Sequence, residues 1–274
     1  MMSDIRPNNA ISGDRLKIEF LGFYFDNCSE IEALDKIKTL VATPAFFYVI
    51  TPNVDHVVAL NRAKDPLLTN ACVHADMTLC DSRILSLLAR RSGVNLAAIP
   101  GSDLTRQLLN EKNTSWRCAI IGGDAALHAH IARLYPQHKW THHQPPMGVR
   151  RSPAARVEIA EFVENANADI IFLAIGSPQS EICCYEIAQR GRARGVALCI
   201  GASLEFLTGA KKRAPLWMQQ YSLEWLHRLG SEPRRLWRRY LVEGPRIFLI
   251  WRRWDKLKAI RHPDGYDSSR FGGR

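Results

Sequence analysis

DIIFLAIG, residues 169–176, is apolar from its second residue to its seventh and ends on a glycine. A strand with one wet face alternates, so an unbroken run of this length reads as a strand buried on both sides. That is the habit of a parallel sheet covered by helices. The neighbouring segments repeat the pattern. Helical spacing follows over 178–190, and VALCI (196–200) then ends on Gly201. Upstream, RCAII (117–121) ends in Gly122-Gly123-Asp124 and leads into helical spacing through Leu134. FFYVI (46–50) ends in Thr51-Pro52-Asn53 before a helical segment over 54–61. This rhythm predicts an α/β fold, a parallel sheet with helices on both faces. Three strands ending directly in glycine matter for function. In such sheets ligands bind at the carboxyl ends of strands, where glycine lets backbone approach a phosphate and the next helix presents its N-terminus.

Charge divides the 274-residue chain in two. Residues 1–210 hold 21 basic and 21 acidic side chains, whereas residues 211–274 hold 16 and 6 and thus the entire net charge of +10. Trp217, Trp225, Trp237, Trp251 and Trp254, five of the seven tryptophans, lie in the same tail. Arginines interleaved with interfacial aromatics suit a polyanionic surface, either lipid headgroups or nucleic acid. The expected organisation is therefore a neutral globular α/β body over 1–210 and a basic, helical, Trp/Arg-rich appendage over 211–274. Within the appendage the pattern predicts one amphipathic helix over 215–230, a new helix start at Ser231-Glu232-Pro233, and a break at Gly244-Pro245 before IFLIWRRWDKLKAI. A disordered end is expected over 263–274. The start, MMSDIRPNNAISGDR, lacks the apolar stretch of a secretory signal. The longest strongly apolar run, 170–175, is far short of a membrane span. Seven cysteines, with no CxxC pair and no Cys/His metal spacing, read as reduced core thiols of a cytosolic protein.

No GxGxxG follows a strand, and there is no GxxxxGK[ST], so the dinucleotide and NTPase fingerprints are absent. Gly122-Gly123 fits a tight turn as well as a diphosphate. Asp81 follows the strand-like MTLC (77–80) and opens the apolar-periodic SRILSLLARR, which places a carboxylate at a strand's carboxyl end. It suits both a helix N-cap and a general base. Thr51 and Asn53 can likewise cap a helix or hold a ligand. His142-His143 lacks the companions of a metal site and reads as a polar loop or strand edge. Ser102 and Ser177 have no GxSxG context, which argues against a hydrolase elbow. Arg228, Arg234, Arg235, Arg238 and Arg239 cluster with few acids between them, and their forks suit a pyrophosphate.

Taken in order, several segments resemble the WecG/TagA/CpsF family of bacterial glycosyltransferases. They are TPN (51–53), the stretch from Ala75-Asp76 to Asp81, PGSDL (100–104), IGG (121–123), GSPQSE (176–181), Gly201-Ala202, Gly209 through RAP (213–215), LEWLHRL (223–229) and EPR (232–234). The likeness covers about residues 45–240, and RAPxW…LEWLxRL…EPxR is its most specific part. It implies a Rossmann-like body and an inverting transferase needing neither metal nor cofactor. Such an enzyme moves a sugar from a UDP-sugar to a polyprenyl-diphosphate-linked sugar at the cytoplasmic face of the membrane. The resemblance makes Asp81 the base and Thr51 and Asn53 substrate contacts. It also implies an appendage that docks on the membrane and closes over the site with Arg228, Arg235 and Arg238. Gly101, Gly122, Gly123, Gly176, Gln179, Glu181 and Gly201 complete the expected substrate-binding set.

The departures carry information. Ser82-Arg83 follow Asp81 where the family has glycine. Ala98 or Ile99 replaces an arginine ahead of PGSDL, and Arg83 is the expected substitute. GSPQSE stands for GxPKQE, which points to a donor other than N-acetylmannosamine, with glucose transfer to a glucose-diphosphate lipid in an exopolysaccharide branch as one candidate. Nucleic acid is not an expected partner under this reading, and homo-oligomerisation is left open. The tail alone also fits a nucleic-acid-binding module. A nicotinamide-dependent oxidoreductase is disfavoured by the missing glycine fingerprint.

Overall fold

The computed structural model describes residues 17–62 and 65–261, so the readings at the extreme N-terminus and over 263–274 lie outside the described residues. A short antiparallel hairpin, β1 (Ile18–Phe20) and β2 (Phe23–Phe25), precedes the main sheet. The sheet comprises β3 (Phe46–Ile50), β4 (Met77–Thr78), β5 (Arg117–Ile121), β6 (Lys139–His143), β7 (Ile170–Leu173) and β8 (Gly195–Cys199). Its order is β4-β3-β8-β7-β5-β6, and every pairing is parallel. The fold is a Rossmann-like α/β sheet, as the sequence predicts.

The continuous apolar strands are explained by two cores. Tyr48, Ile50, Ala119, Ile121, Ile171, Leu173, Ala197 and Cys199 join one cluster with helices that include Val54–Arg62, Arg83–Arg91, Pro153–Ala166 and Gln179–Arg190. Phe47, Val49, Cys118, Ile120, Ile170, Phe172, Val196 and Leu198 join the other, against Glu30–Val41, Gly101–Leu109 and Ala125–Leu134. Successive side chains of each strand point to opposite faces, so both faces require apolar residues. Glycine is obligatory at two tight joints. At Gly122 (φ +98°) a Cβ would lie 2.8 Å from Ile175 Cγ2, and at Gly195 (φ +87°) it would lie 2.2 Å from the Ala168 carbonyl oxygen.

Three sequence expectations need correction. The strand of DIIFLAI is shorter than the apolar run. Asp169 opens the ladder with its backbone, donating to the Arg117 carbonyl and accepting the Val196 N–H, while its carboxylate accepts the Arg117 N–H at 2.8 Å and pairs with the Arg117 and Arg194 guanidinium groups. Residues 215–230 form two helices, Leu216–Gln220 and Glu224–Ser231, because Ser222 adopts a left-handed conformation (φ 59°) between them. At Ser231-Glu232-Pro233, proline occupies the first position of Pro233–Trp237 as expected. Glu232 makes no side-chain cap, however, and pairs with Arg235 at 2.5 Å. Gly244-Pro245 separates a π-helical turn, Arg238–Glu243, from the long helix Arg246–Arg261.

That last helix divides lengthwise. Ile247 is buried in the body's core, with Ile250, Trp251 and Trp254 packed beside it. Trp254 meets Phe20 edge-on at 5.0 Å and donates to Glu19, while Trp251 donates to Ser92 Oγ at 2.9 Å. Ser92 Oγ in turn donates to Asp255, and Lys258 donates to the Ser92 carbonyl at 2.7 Å. The other face carries Phe248, Leu249 and Leu257, each at least half exposed, with exposed Arg246, Arg252 and Arg253. Two of the tail's tryptophans are thus structural, and the opposite face stays exposed. Among the described residues, no helix is long and apolar enough to cross a membrane.

Candidate active site

The carboxyl ends of β3, β4, β5, β7 and β8 open into one cleft of about 1540 Å³, and the appendage forms its far wall. Asp81 reaches it through the β3–β4 ladder. Past the formal strand ends, Leu79 donates to the Ile50 carbonyl and Asp81 to the Pro52 carbonyl, both at 2.9 Å. The helix that follows is capped by Ser82, whose side chain accepts from Leu85 N. The N-cap reading of Asp81 is therefore corrected. One residue ahead of the cap, its carboxylate is free to face the cleft, where it accepts the Gly101 N–H at 3.3 Å. Burial pushes the Asp81 carboxyl up to about 7, opposed by the Gly101 N–H and by the charges of His56 and Arg228, while Glu224 adds to the rise. A carboxylate that exchanges its proton near neutrality suits general-base work.

The other sequence-derived candidates separate into two groups. Thr51, Asn53, Arg83, Gly123, Gly176, Glu181, Gly201, Arg228 and Arg235 line the cleft with Asp81. Thr51 donates to the Cys199 carbonyl at 3.1 Å and Asn53 Oδ1 accepts the Asp55 N–H at 3.0 Å, so each also holds its own turn. Gly101, Gly122, Gln179 and Arg238 are not in the lining. Gly101 works from behind, packed on Thr51, with its N–H aimed at Asp81. Gly122 lies one residue behind Gly123, pressed against Ile175 and Ala174. The Gln179 amide donates to the Ile175 carbonyl at 2.6 Å and Ser180 Oγ to the Gly176 carbonyl at 2.9 Å, so both side chains are spent on the β7 turn. Arg238 is turned outward, 70% exposed, and sits 3.6 Å from Glu243.

Sequence reasoning gave no role to Arg213, Glu224 and His56 in the lining, and placed Arg239 only as one member of the arginine cluster. Arg239, rather than Arg238, turns inward and pairs with Asp55. Arg213 pairs with Asp103 at 2.6 Å, and Glu224 enters on the appendage. His56 lies 3.0 Å from Glu181. Its spacing of three residues from Asn53 was the available signal. Arg228 stacks over the Phe206 ring at 5.1 Å, tying the appendage to the body. His142-His143 ends the sheet-edge strand β6, and His142 Nε2 lies 3.1 Å from the Gly122 carbonyl oxygen. Six of the seven cysteines are buried thiols. Burial pushes the Cys80 thiol up to about 12, which makes it a poor nucleophile. Among the described residues, no group of three or more His, Cys, Asp or Glu side chains is placed to hold a metal ion.

Residues 18–261 match the family model described as "Glycosyl transferase WecG/TagA/CpsF family". The chain belongs to this family of glycosyltransferases. Two relatives from Staphylococcus aureus, strains MRSA252 and MW2, are named N-acetylglucosaminyldiphosphoundecaprenol N-acetyl-beta-D-mannosaminyltransferase. Each is 25% identical over 236 residues, covering 81% of this chain and 87% of the relative. The match extends over body and appendage alike, as does the cleft of this glycosyltransferase.

Proposed function

We propose that the chain is an inverting, metal-independent transferase. It would carry a sugar from a UDP-sugar to a polyprenyl-diphosphate-linked sugar in exopolysaccharide or other surface polysaccharide assembly, working at the cytoplasmic face of the membrane. The observation that carries this reading is Asp81, a carboxylate poised near neutrality in a cleft walled by cationic side chains. Asp81 takes the proton of the acceptor hydroxyl as that oxygen attacks the anomeric carbon. The bond from that carbon to the UDP oxygen breaks, and UDP leaves with the bonding pair. Strand-end N–H groups, Arg228, Arg235 and Lys211 are the groups at hand to stabilise the departing diphosphate. Arg83, also in the lining, substitutes for the arginine missing ahead of PGSDL. The polyprenyl-linked acceptors named for the relatives support the acceptor class. Because Gln179 and Ser180 bond their own turn, donor choice falls to other lining residues, which favours a donor other than N-acetylmannosamine.

The test is purified protein with a panel of UDP-sugars and a short polyprenyl-diphosphate-sugar acceptor, in the presence of EDTA, with products read by mass. Addition of one sugar and release of UDP at an undiminished rate in EDTA is expected. Binding to duplex or single-stranded nucleic acid with a steep salt dependence, and no affinity for UDP, would favour the rival reading of the basic tail.

A further inference from the structure

His56 lines the cleft with its side chain 11% exposed, on the first turn of the helix Val54–Arg62. Its Nε2 is 3.0 Å from Glu181 Oε1, and its Nδ1 is 2.9 Å from Asn53 Oδ1. Asn53 Oδ1 also accepts the Asp55 N–H, which identifies it as the carbonyl oxygen of that amide. Acceptors therefore face both ring nitrogens, and only the imidazolium has an N–H for each. The Asn53 backbone N–H, 3.2 Å from Nδ1, is the contact that a neutral ring would use; it is the longer of the two. Glu181 is 2% exposed, and its second carboxylate oxygen has no partner among the described residues. A carboxylate buried in this way requires the cation beside it.

The sheet carries this pair to Asp81. The Asp81 N–H is held by the Pro52 carbonyl, and the next residue, Asn53, holds the His56 ring. Charges face these groups from each packed element. His56 feels Glu181 from Gln179–Arg190 and Asp55 from its own helix. Asp81 feels Glu224 and Arg228 from Glu224–Ser231, and Arg213 from the preceding loop. Burial draws the imidazole pKa down, but Glu181, Asp55 and Asp81 together outweigh it and leave it raised. Arg228 and Glu224 reach the cleft on the appendage, and Arg213 at its root. His56 belongs to the body.

We propose that His56 is a positioning residue: clasped between Asn53 and Glu181, its imidazolium is the body's own counter-charge to Asp81 and keeps that carboxylate in the form that accepts a proton. The inference rests on the reading of Asp81 as the base. It is tested by titrating carboxyl-13C-labelled aspartate in the whole protein by NMR, with the Asp81 resonance assigned by its loss in Asp81→Asn, alongside the pH profile of kcat/KM. His56→Gln is expected to move both the Asp81 titration and the acid limb to higher pH. A half-unit move gives roughly a threefold loss on the acid side and little change on the alkaline side. His56→Lys, which restores the charge, is expected to reverse the move. Where His56→Gln fails to fold because Glu181 is left buried without a cation, His56→Gln/Glu181→Gln removes the ion pair whole, and a smaller move in the same direction is expected, since His56 is the member of the pair that acts on Asp81. An Asp81 titration unchanged in the folded variant overturns the proposal. A titration that moves while the rate profile stays put supports the coupling and removes Asp81 from the role of base.

Discussion

Replacing Asp81 with Asn is expected to slow sugar transfer by about 10²–10⁴-fold, the range that a positioned proton acceptor contributes. The substitution is nearly isosteric. An amide oxygen can still accept the Gly101 N–H, and the Asp81–Pro52 backbone bond is untouched. What is lost is the charge that takes the acceptor's proton. Burial disfavours that charge in the folded state, so the variant is expected to fold at neutral pH at least as stably as the parent, and to bind UDP about as well. The pH dependence follows from the same group. Below about pH 7 the Asp81 carboxyl is protonated and cannot act as a base, so the parent's kcat/KM should fall about tenfold per unit on the acid side, while the residual rate of Asp81→Asn lacks that limb. Transfer rates of the two proteins across pH 5–9, with circular dichroism to confirm folding, check both statements. Comparable rates in the two proteins would exclude Asp81 as the base.

The second large effect concerns the outer face of the last helix. Arg246, Arg252 and Arg253 are exposed there beside Phe248, Leu249 and Leu257, while the inner face is held by Ile247, Trp251 and Trp254. Each basic residue near an anionic surface contributes about 1 kcal/mol, so Arg246→Ala/Arg252→Ala/Arg253→Ala should weaken partitioning onto anionic vesicles by about 3 kcal/mol, roughly a hundredfold. Activity on a soluble, short-chain acceptor should be nearly unchanged, because none of the three lines the cleft. Co-sedimentation with vesicles of phosphatidylglycerol measures the first, and the transfer assay the second. Equal sedimentation of variant and parent would leave the basic face without this role. Substitution is a cleaner test than truncation at residue 210, which would also remove Leu236 and Ile247 from buried positions.

The central sheet was legible because strands buried on both faces leave an unmistakable apolar run, and β3, β5, β7 and β8 all have one. β6 was not legible as part of it. KWTHH is an edge strand with one covered side, and it carries no comparable signal. The broken helix over 215–230 was missed because hydrophobic spacing continues across Ser222, while the backbone conformation that interrupts it leaves no mark in a residue other than glycine. At the site, Asp81 was placed at the correct strand end, but its apparent role as N-cap belongs to Ser82, its neighbour. Arg238 and Arg239 could not be told apart from sequence, since which of two adjacent arginines turns inward depends on the π-helical turn Arg238–Glu243. His56 stood in the open as one of several scattered histidines. Only the approach of Glu181 from an element 125 residues away gives it chemistry.

One measurement bears most directly on the claim that Asp81 acts as a base in a single displacement at the anomeric carbon. It is the anomeric configuration of the transferred sugar, read by NMR coupling constants in the product formed from a UDP-α-sugar. Direct attack by the acceptor hydroxyl predicts inversion, hence a β-linked product. An α-linked product, formed with retention, would exclude a single inverting displacement and contradict the account.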